Sequence, residues 1–212
     1  TGMVIEGKAG SGKTRLANKI AKEMVNNYNR THNIDSNDEN SCKWILFGDC
    51  DELNEEGSGV PFEPFSQALH KVLGAGRFEP PSKKADKIKE GLNSAGLDTI
   101  LDASGLGILN ILLGSKNEEI GSASILEMTQ IVIKTILGLS KKRPVMFIID
   151  DLQWMDSISF ELFKGILNDR EIINENIYFI FTSRNTRNST VEFLNNNQQI
   201  DLDTIFSKDF NI

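Results

Sequence analysis

The chain has 212 residues, 39% hydrophobic and 25% charged, with a formal net charge of −7. That length suits one sizeable α/β domain with room for an insertion. The acidic balance argues against a nucleic-acid-binding surface, and there is neither a run of about eighteen apolar residues nor a basic-then-apolar leader. A soluble, cytoplasmic protein is expected. Because the chain starts at Thr1, already inside its first apolar run, we read it as a piece of a longer polypeptide.

Met3-Val4-Ile5 reads as a buried strand and Lys13 to Tyr28 as a helix, with Ala17, Ile20, Ala21, Met24 and Tyr28 recurring on one face. Between them, Gly7-Lys8-Ala9-Gly10-Ser11-Gly12-Lys13-Thr14 matches G-x-x-x-x-G-K-[ST], the phosphate-cradling loop of P-loop NTPases. The chemistry needs these residue types. Backbone N–H groups in a first helical turn lack intrahelical partners and point at an anion, and the helix dipole adds partial positive charge. Glycines let the backbone curl around phosphate oxygens. Lys13 offers a point charge to β and γ phosphates, and Thr14 a hydroxyl to Mg²⁺. Gly7, Lys8, Ala9, Gly10, Ser11, Gly12, Lys13, Thr14 and Arg15 form the candidate nucleotide-binding set.

Asn26 to Lys43 is polar and asparagine-rich, a predicted solvent loop. Trp44 to Phe47 is the second predicted strand, followed by Gly48-Asp49-Cys50-Asp51. After a loop containing Gly57, Gly59 and Pro61, the residues Phe62, Phe65, Leu69 and Val72 mark an amphipathic helix. Residues 76–121 read as a helical insertion: Pro80-Pro81 breaks the chain, Ser82 to Ala103 has helical character, and Leu106 to Leu113 is an apolar patch among glycines. Ser124 with Glu127 forms a capping-box pattern opening a helix that Lys141-Lys142-Arg143-Pro144 closes. Val145 to Ile149 is a continuous apolar run, expected of a parallel strand buried on both faces. Asp156 or Ser157 caps the next helix, with Ile158, Leu162, Phe163, Ile166 and Leu167 facing inward. Ile177 to Phe181 is a further buried strand, and Gln199 to Leu202 a short final one. The alternation predicts a single domain, 1–212, with a doubly wound, mostly parallel five-stranded α/β sheet of the P-loop NTPase type.

Asp150-Asp151 directly follows the third apolar strand. An acid delivered there would hold Mg²⁺ through water, which makes Asp150 and Thr14 the metal candidates. Asp151 would polarise the attacking water; two adjacent acids beside a metal are the arrangement expected of additional-strand ATPases. Thr182-Ser183-Arg184 follows the fourth strand, and Arg184 would reach the γ-phosphate and distinguish ATP from ADP. Lys13, Asp151 and Arg184 are thus the catalytic candidates. If the strands are parallel, all these features share one carboxyl edge, where open α/β sheets bind ligands.

Other candidates read as inert. Cys42 and Cys50, if the segment between them is extended, sit roughly 25 Å apart, beyond disulfide reach. His32 and His70 lack a metal-ligand pattern, and the triplets Asn29-Arg30-Thr31 and Asn188-Ser189-Thr190 would not meet glycosylation machinery in the cytoplasm. Trp154 reads as packed beneath a neighbouring helix, and nothing beyond position supports a γ-phosphate role for Gln153.

Taken together, Arg143-Pro144 through Ile149-Asp150-Asp151-Leu152-Gln153-Trp154-Met155-Asp156 resembles the Walker B region of STAND-class AAA-type P-loop ATPases (signal transduction ATPases with numerous domains). It is most similar to the origin-recognition-complex-like AAA ATPase domain of bacterial and protist regulators. Gly48-Asp49-Cys50-Asp51 followed by Val60-Pro61-Phe62-Glu63-Pro64-Phe65 is similar to that family's second strand and helix entry, and Thr182-Ser183-Arg184 occupies its sensor position. The resemblance spans residues 3–205, apart from 26–43 and 76–121. Lys8 stands where the family often has an acid, and Met155 where a small residue is usual. The resemblance implies an ATP- and Mg²⁺-dependent switch within a multidomain signalling or transcriptional regulator, of the kind found in LuxR-type regulators, class III nucleotidyl cyclases and kinase-linked sensors. Without an identifiable arginine finger, hydrolysis should be slow. Expected partners are ATP, ADP and adjacent domains of the parent chain, with self-association left open; membranes and direct nucleic-acid contact are not expected. The alternatives are a small-molecule or nucleotide kinase and a non-hydrolysing, nucleotide-bound scaffold.

Overall fold

The computed structural model describes residues 2–34, 44–50, 62–76, 79–97, 101–113 and 124–184. Four strands, β1 (Gly2–Glu6), β2 (Ile45–Asp49), β3 (Val145–Asp150) and β4 (Ile177–Ser183), form one sheet in the order β1-β4-β3-β2. Every pairing is parallel. Among the described residues seven α-helices accompany them: α1 (Lys13–Thr31), α2 (Glu63–Leu73), α3 (Pro81–Ala95), α4 (Ala103–Leu112), α5 (Ile125–Ser140), α6 (Ser157–Leu167) and α7 (Arg170–Asn174). The fifth predicted strand, Gln199 to Leu202, lies outside the described residues, as do Cys42 and Asn188.

β3 is buried at all six positions. Its side chains alternate between two cores, as the period of a strand requires. Val145, Phe147 and Ile149 join Phe65, Phe163, Phe179 and Phe181 on the face covered by α2, α5 and α6. Met146 and Ile148 pack with Ala17, Ala21 and Val25 of α1 on the other. Aromatic rings lock the larger core: Phe147 lies 5.9 Å from both Phe65 and Phe179, and Phe163 lies 5.2 Å edge-on to Phe181. At Gly48 the backbone of α2 presses onto β2 so closely that a Cβ would stand 2.1 Å from the Pro64 carbonyl oxygen.

Several boundaries differ from the sequence reading. α1 runs three residues past Tyr28, because Thr31 Oγ1 donates to the Asn27 and Tyr28 carbonyls and Tyr28 stacks on His32 at 4.0 Å. The predicted loop therefore begins late. β2 starts one residue late and reaches Asp49, whose N–H is held at 2.9 Å by Gln67 Oε1 of α2. Within 76–121, α3 ends at Ala95 where Gly96 turns left-handed, so Ala103 opens a separate helix capped by Asp102. Ser124 and Glu127 form the reciprocal capping box at the start of α5, and Asp156, not Ser157, caps α6. α7, capped by Asp169, escaped the sequence reading altogether.

Candidate functional site

The carboxyl edge is levelled by register. Glu6 pairs with Ser183 and Asp49 with Asp150, so β1, β4, β3 and β2 all end at one rim. Gly7 continues from β1 and donates its N–H to the Ser183 carbonyl at 3.2 Å. The loop then turns through Gly10 (φ 74°) and Gly12 (φ 86°), left-handed conformations that only glycine adopts without strain. Gly12 is the N-cap of α1, and no side chain caps that helix. Its first-turn N–H groups are thus left to an external anion. Lys8, Ala9, Gly10, Ser11, Gly12, Thr14 and Arg15 are exposed around the turn. Lys13 is buried, its ammonium donating to the Lys8 carbonyl at 3.4 Å, so the cation lies folded along the loop it would serve.

Asp150, at the tip of β3, is 5% exposed. Two hydroxyls hold it: Thr14 Oγ1 donates to Oδ2 at 2.6 Å, and Thr182 Oγ1 donates to Oδ1. The Asp151 N–H in turn donates to Thr182 Oγ1 at 3.0 Å. A backbone N–H can only donate, so the single hydroxyl proton of Thr182 must go to Asp150, which accepts from both threonines. Asp151 itself sits at φ 50°, ψ 49°, a left-handed conformation uncommon outside glycine and stabilised here by its neighbours. A 3₁₀ turn, Leu152–Trp154, follows at once.

That turn carries the link to the sensor candidate. Gln153 Nε2 donates to Asp151 Oδ1 at 3.0 Å, while Gln153 Oε1 accepts the Arg184 N–H, also at 3.0 Å. The Arg184 guanidinium lies 5.3 Å from the centre of the half-buried Trp154 ring. The structure thus brings Thr14, Asp150, Asp151 and Arg184 into one hydrogen-bonded chain, with Lys13 on the adjoining loop.

The donor set fits a magnesium nucleotide. A hydroxyl and a carboxylate, both hard oxygen donors, meet at Thr14 and Asp150, and Mg²⁺ characteristically takes one or two carboxylates and completes its shell with water and phosphate. Among the described residues no group of three or more His, Cys, Asp and Glu forms a metal cage.

Sequence reasoning placed Thr182 only within the sensor segment and found no support beyond position for a role of Gln153; their contacts to Asp150, Asp151 and Arg184 were not foreseen. A threonine one position past the Ile149–Phe181 pair was visible only once register was known. Cys50, next to this edge, is buried, and desolvation followed by the carboxylates of Asp49, Asp156, Asp150 and Asp151 pushes its thiol well above the usual range. It stays protonated and inert. His32 is exposed, His70 is buried in the α2 core, and Asn29 is 1% exposed inside α1, where no glycosylation enzyme would reach it. A cavity of about 600 Å³ opens at the opposite end of the sheet, where Trp44 and Arg143 precede β2 and β3. It mixes Lys87 and Arg143 with Glu90 and contains none of the motif residues, so its charges point to no single ligand class. Among the described residues no helix is long and apolar enough to cross a membrane.

No curated protein and no solved structure matches the chain. The family model described as the AAA ATPase domain matches residues 1–180, a span that takes in the glycine loop, both acids of the β3 edge and most of β4. With a nucleotide loop and an acid-bearing strand meeting at one parallel-sheet edge, the chain belongs to the AAA ATPase domain family of P-loop ATPases.

Proposed function

We propose that this domain is a slow, nucleotide-operated switch of the STAND class, acting inside a multidomain signalling or transcriptional regulator. The observation that carries the reading is the unbroken chain of contacts from Thr14 through Asp150 and Thr182 to Asp151, and on through Gln153 to Arg184. The position of β4 between β1 and β3 also supports an additional-strand ATPase. In this reading the loop from Gly7 to Arg15 and Lys13 hold the phosphates, and Thr14 and Asp150 hold Mg²⁺, which would neutralise phosphate charge. Asp151 orients the attacking water and accepts its proton. Arg184 contacts the γ-phosphate, so the site differs between ATP and ADP by one charge-assisted hydrogen bond. A ligand shifts a conformational equilibrium only by its differential affinity, which makes Arg184 the discriminating group. Helices α3 and α4 are read as an insertion on the shared core.

The test is calorimetric titration with ATP·Mg²⁺ and ADP, combined with a turnover assay. Expected are saturable binding of both, loss of binding in Lys13→Ala, a smaller ATP preference in Arg184→Ala, and hydrolysis of about 10⁻⁴ to 10⁻² s⁻¹ that Asp151→Asn abolishes. Fast multiple turnover by the chain alone would overturn the switch reading. ADP formation dependent on an added acceptor would make the domain a phosphotransferase instead.

A further inference from the structure

We propose that Gln153 and Trp154 are positioning residues that tie the base to the phosphate sensor: Gln153 fixes Asp151 and the Arg184 backbone together, and Trp154 carries the Arg184 guanidinium. The inference rests on the roles proposed above for Asp151 and Arg184, but the contacts themselves are properties of the protein alone.

The orientation of the Gln153 amide is forced by its neighbours. A carboxylate can only accept and a backbone N–H can only donate, so the NH₂ must face Asp151 Oδ1 and the carbonyl must face Arg184. Both bonds are 3.0 Å, and the one to Arg184 spans 31 positions of sequence between the ends of β3 and β4. Asp151 needs this support, because its left-handed backbone has few other restraints: its N–H on Thr182 and its carbonyl, which accepts the Trp154 N–H at 2.9 Å. The neighbouring Trp154 is half-buried and packs against the larger core, which holds the ring in place. A fixed aromatic face 5.3 Å from a guanidinium restricts that side chain through the ring quadrupole. Base and sensor are therefore oriented by adjacent residues of a single 3₁₀ turn. A shift of that turn moves both at once, which couples the state of the γ-phosphate contact to the competence of the base.

The experiment uses the full 212-residue chain with Trp44→Phe, so that Trp154 is the remaining tryptophan. Without nucleotide, Arg184→Ala should change the Trp154 emission, while Lys13→Ala should not. Trp154→Leu should lower the ATP-over-ADP preference about two- to fivefold, and Trp154→Phe should restore it. Gln153→Leu should lower turnover about ten- to a hundredfold with little change in KM. Gln153→Glu keeps an acceptor for the Arg184 N–H but cannot donate to the Asp151 carboxylate, so it should retain the ATP preference while losing turnover as Gln153→Leu does. Emission indifferent to Arg184→Ala, or a Gln153→Glu variant that turns over at the parent's rate, would overturn the proposal. If Arg184→Ala itself leaves the ATP preference unchanged, the functional reading fails, and the coupling proposal fails with it. If Arg184→Ala lowers that preference but the Gln153 and Trp154 variants behave as the parent, only the coupling proposal fails.

Discussion

Thr14 Oγ1 donates a 2.6 Å hydrogen bond to Asp150 Oδ2, joining the glycine loop to the acid of β3 across 136 positions of sequence. The loop hydroxyl and the carboxylate are thereby assembled through protein contacts alone. Thr14 is exposed, so removing its hydroxyl should cost the fold little while unpairing the assembly. Thr14→Val should weaken Mg²⁺-dependent ATP binding about tenfold, the size of one charge-assisted hydrogen bond, and Thr14→Ser should restore it. Titrations with and without Mg²⁺ check this. A Val variant that keeps the full Mg²⁺ dependence would separate Thr14 from the metal.

Thr182 is the buried counterpart. Its hydroxyl accepts from the Asp151 N–H and donates to Asp150, and the residue has no solvent exposure. Thr182→Val preserves shape but leaves a buried carboxylate short of a donor and a backbone N–H without its acceptor. A loss of about 1–3 kcal/mol is expected, which for a domain of this size lowers Tm by roughly 2–4 °C per kcal/mol. Thr182→Ser should recover most of it. An unchanged melting temperature in the Val variant would show that water replaces the hydroxyl.

Much of this architecture is legible in the sequence, and the reasons are specific. β3 announced itself because burial on both faces demands the uninterrupted run from Val145 to Ile149. Ser124 and Asp156 marked helix starts because a side-chain oxygen there satisfies backbone donors that the helix cannot. α7 was missed because five residues are too few to display a helical period, although Asp169 offered a cap signal. The split between α3 and α4 was blurred because apolar residues recur on both sides of it. The roles of Gln153 and Thr182 were illegible for a different reason. Each depends on the register between β3 and β4, and sequence spacing does not encode register.

Gly48 shows packing that composition would not suggest. A Cβ at this position would stand 2.1 Å from the Pro64 carbonyl oxygen and under 3 Å from two more backbone atoms of α2. Backbone cannot rotate aside as a side chain would. Gly48→Ala should therefore force α2 away from β2 and cost about 1–3 kcal/mol or more by overpacking. The same shift would disturb the Gln67 contact to Asp49, which pairs with Asp150 at the rim, so an effect on nucleotide affinity should accompany the loss of stability. Thermal melts and titrations check both; a fully stable Ala variant would mean that α2 can slide freely on the sheet.

His70 supplies a pH-dependent term in stability. It is buried in α2, its Nδ1 has no hydrogen-bond partner, and burial, reinforced by the nearby Lys84 cation, holds its pKa below the usual 6.5. The sign follows from linkage. As pH falls through about 6.5 the unfolded chain takes up a proton that the folded chain still refuses, so the unfolded state binds more protons and stability falls with pH. The loss begins near the unfolded value and levels off once pH has passed below the depressed folded one. His70→Gln removes this term and leaves the carboxylates elsewhere unchanged. Melting temperatures measured from about pH 7.5 down to about pH 5 should drop more steeply in the parent than in the variant, with the two curves diverging below about pH 6.5. Parallel curves would mean that His70 accepts its proton as readily in the fold as in the open chain, which its burial beside Lys84 argues against.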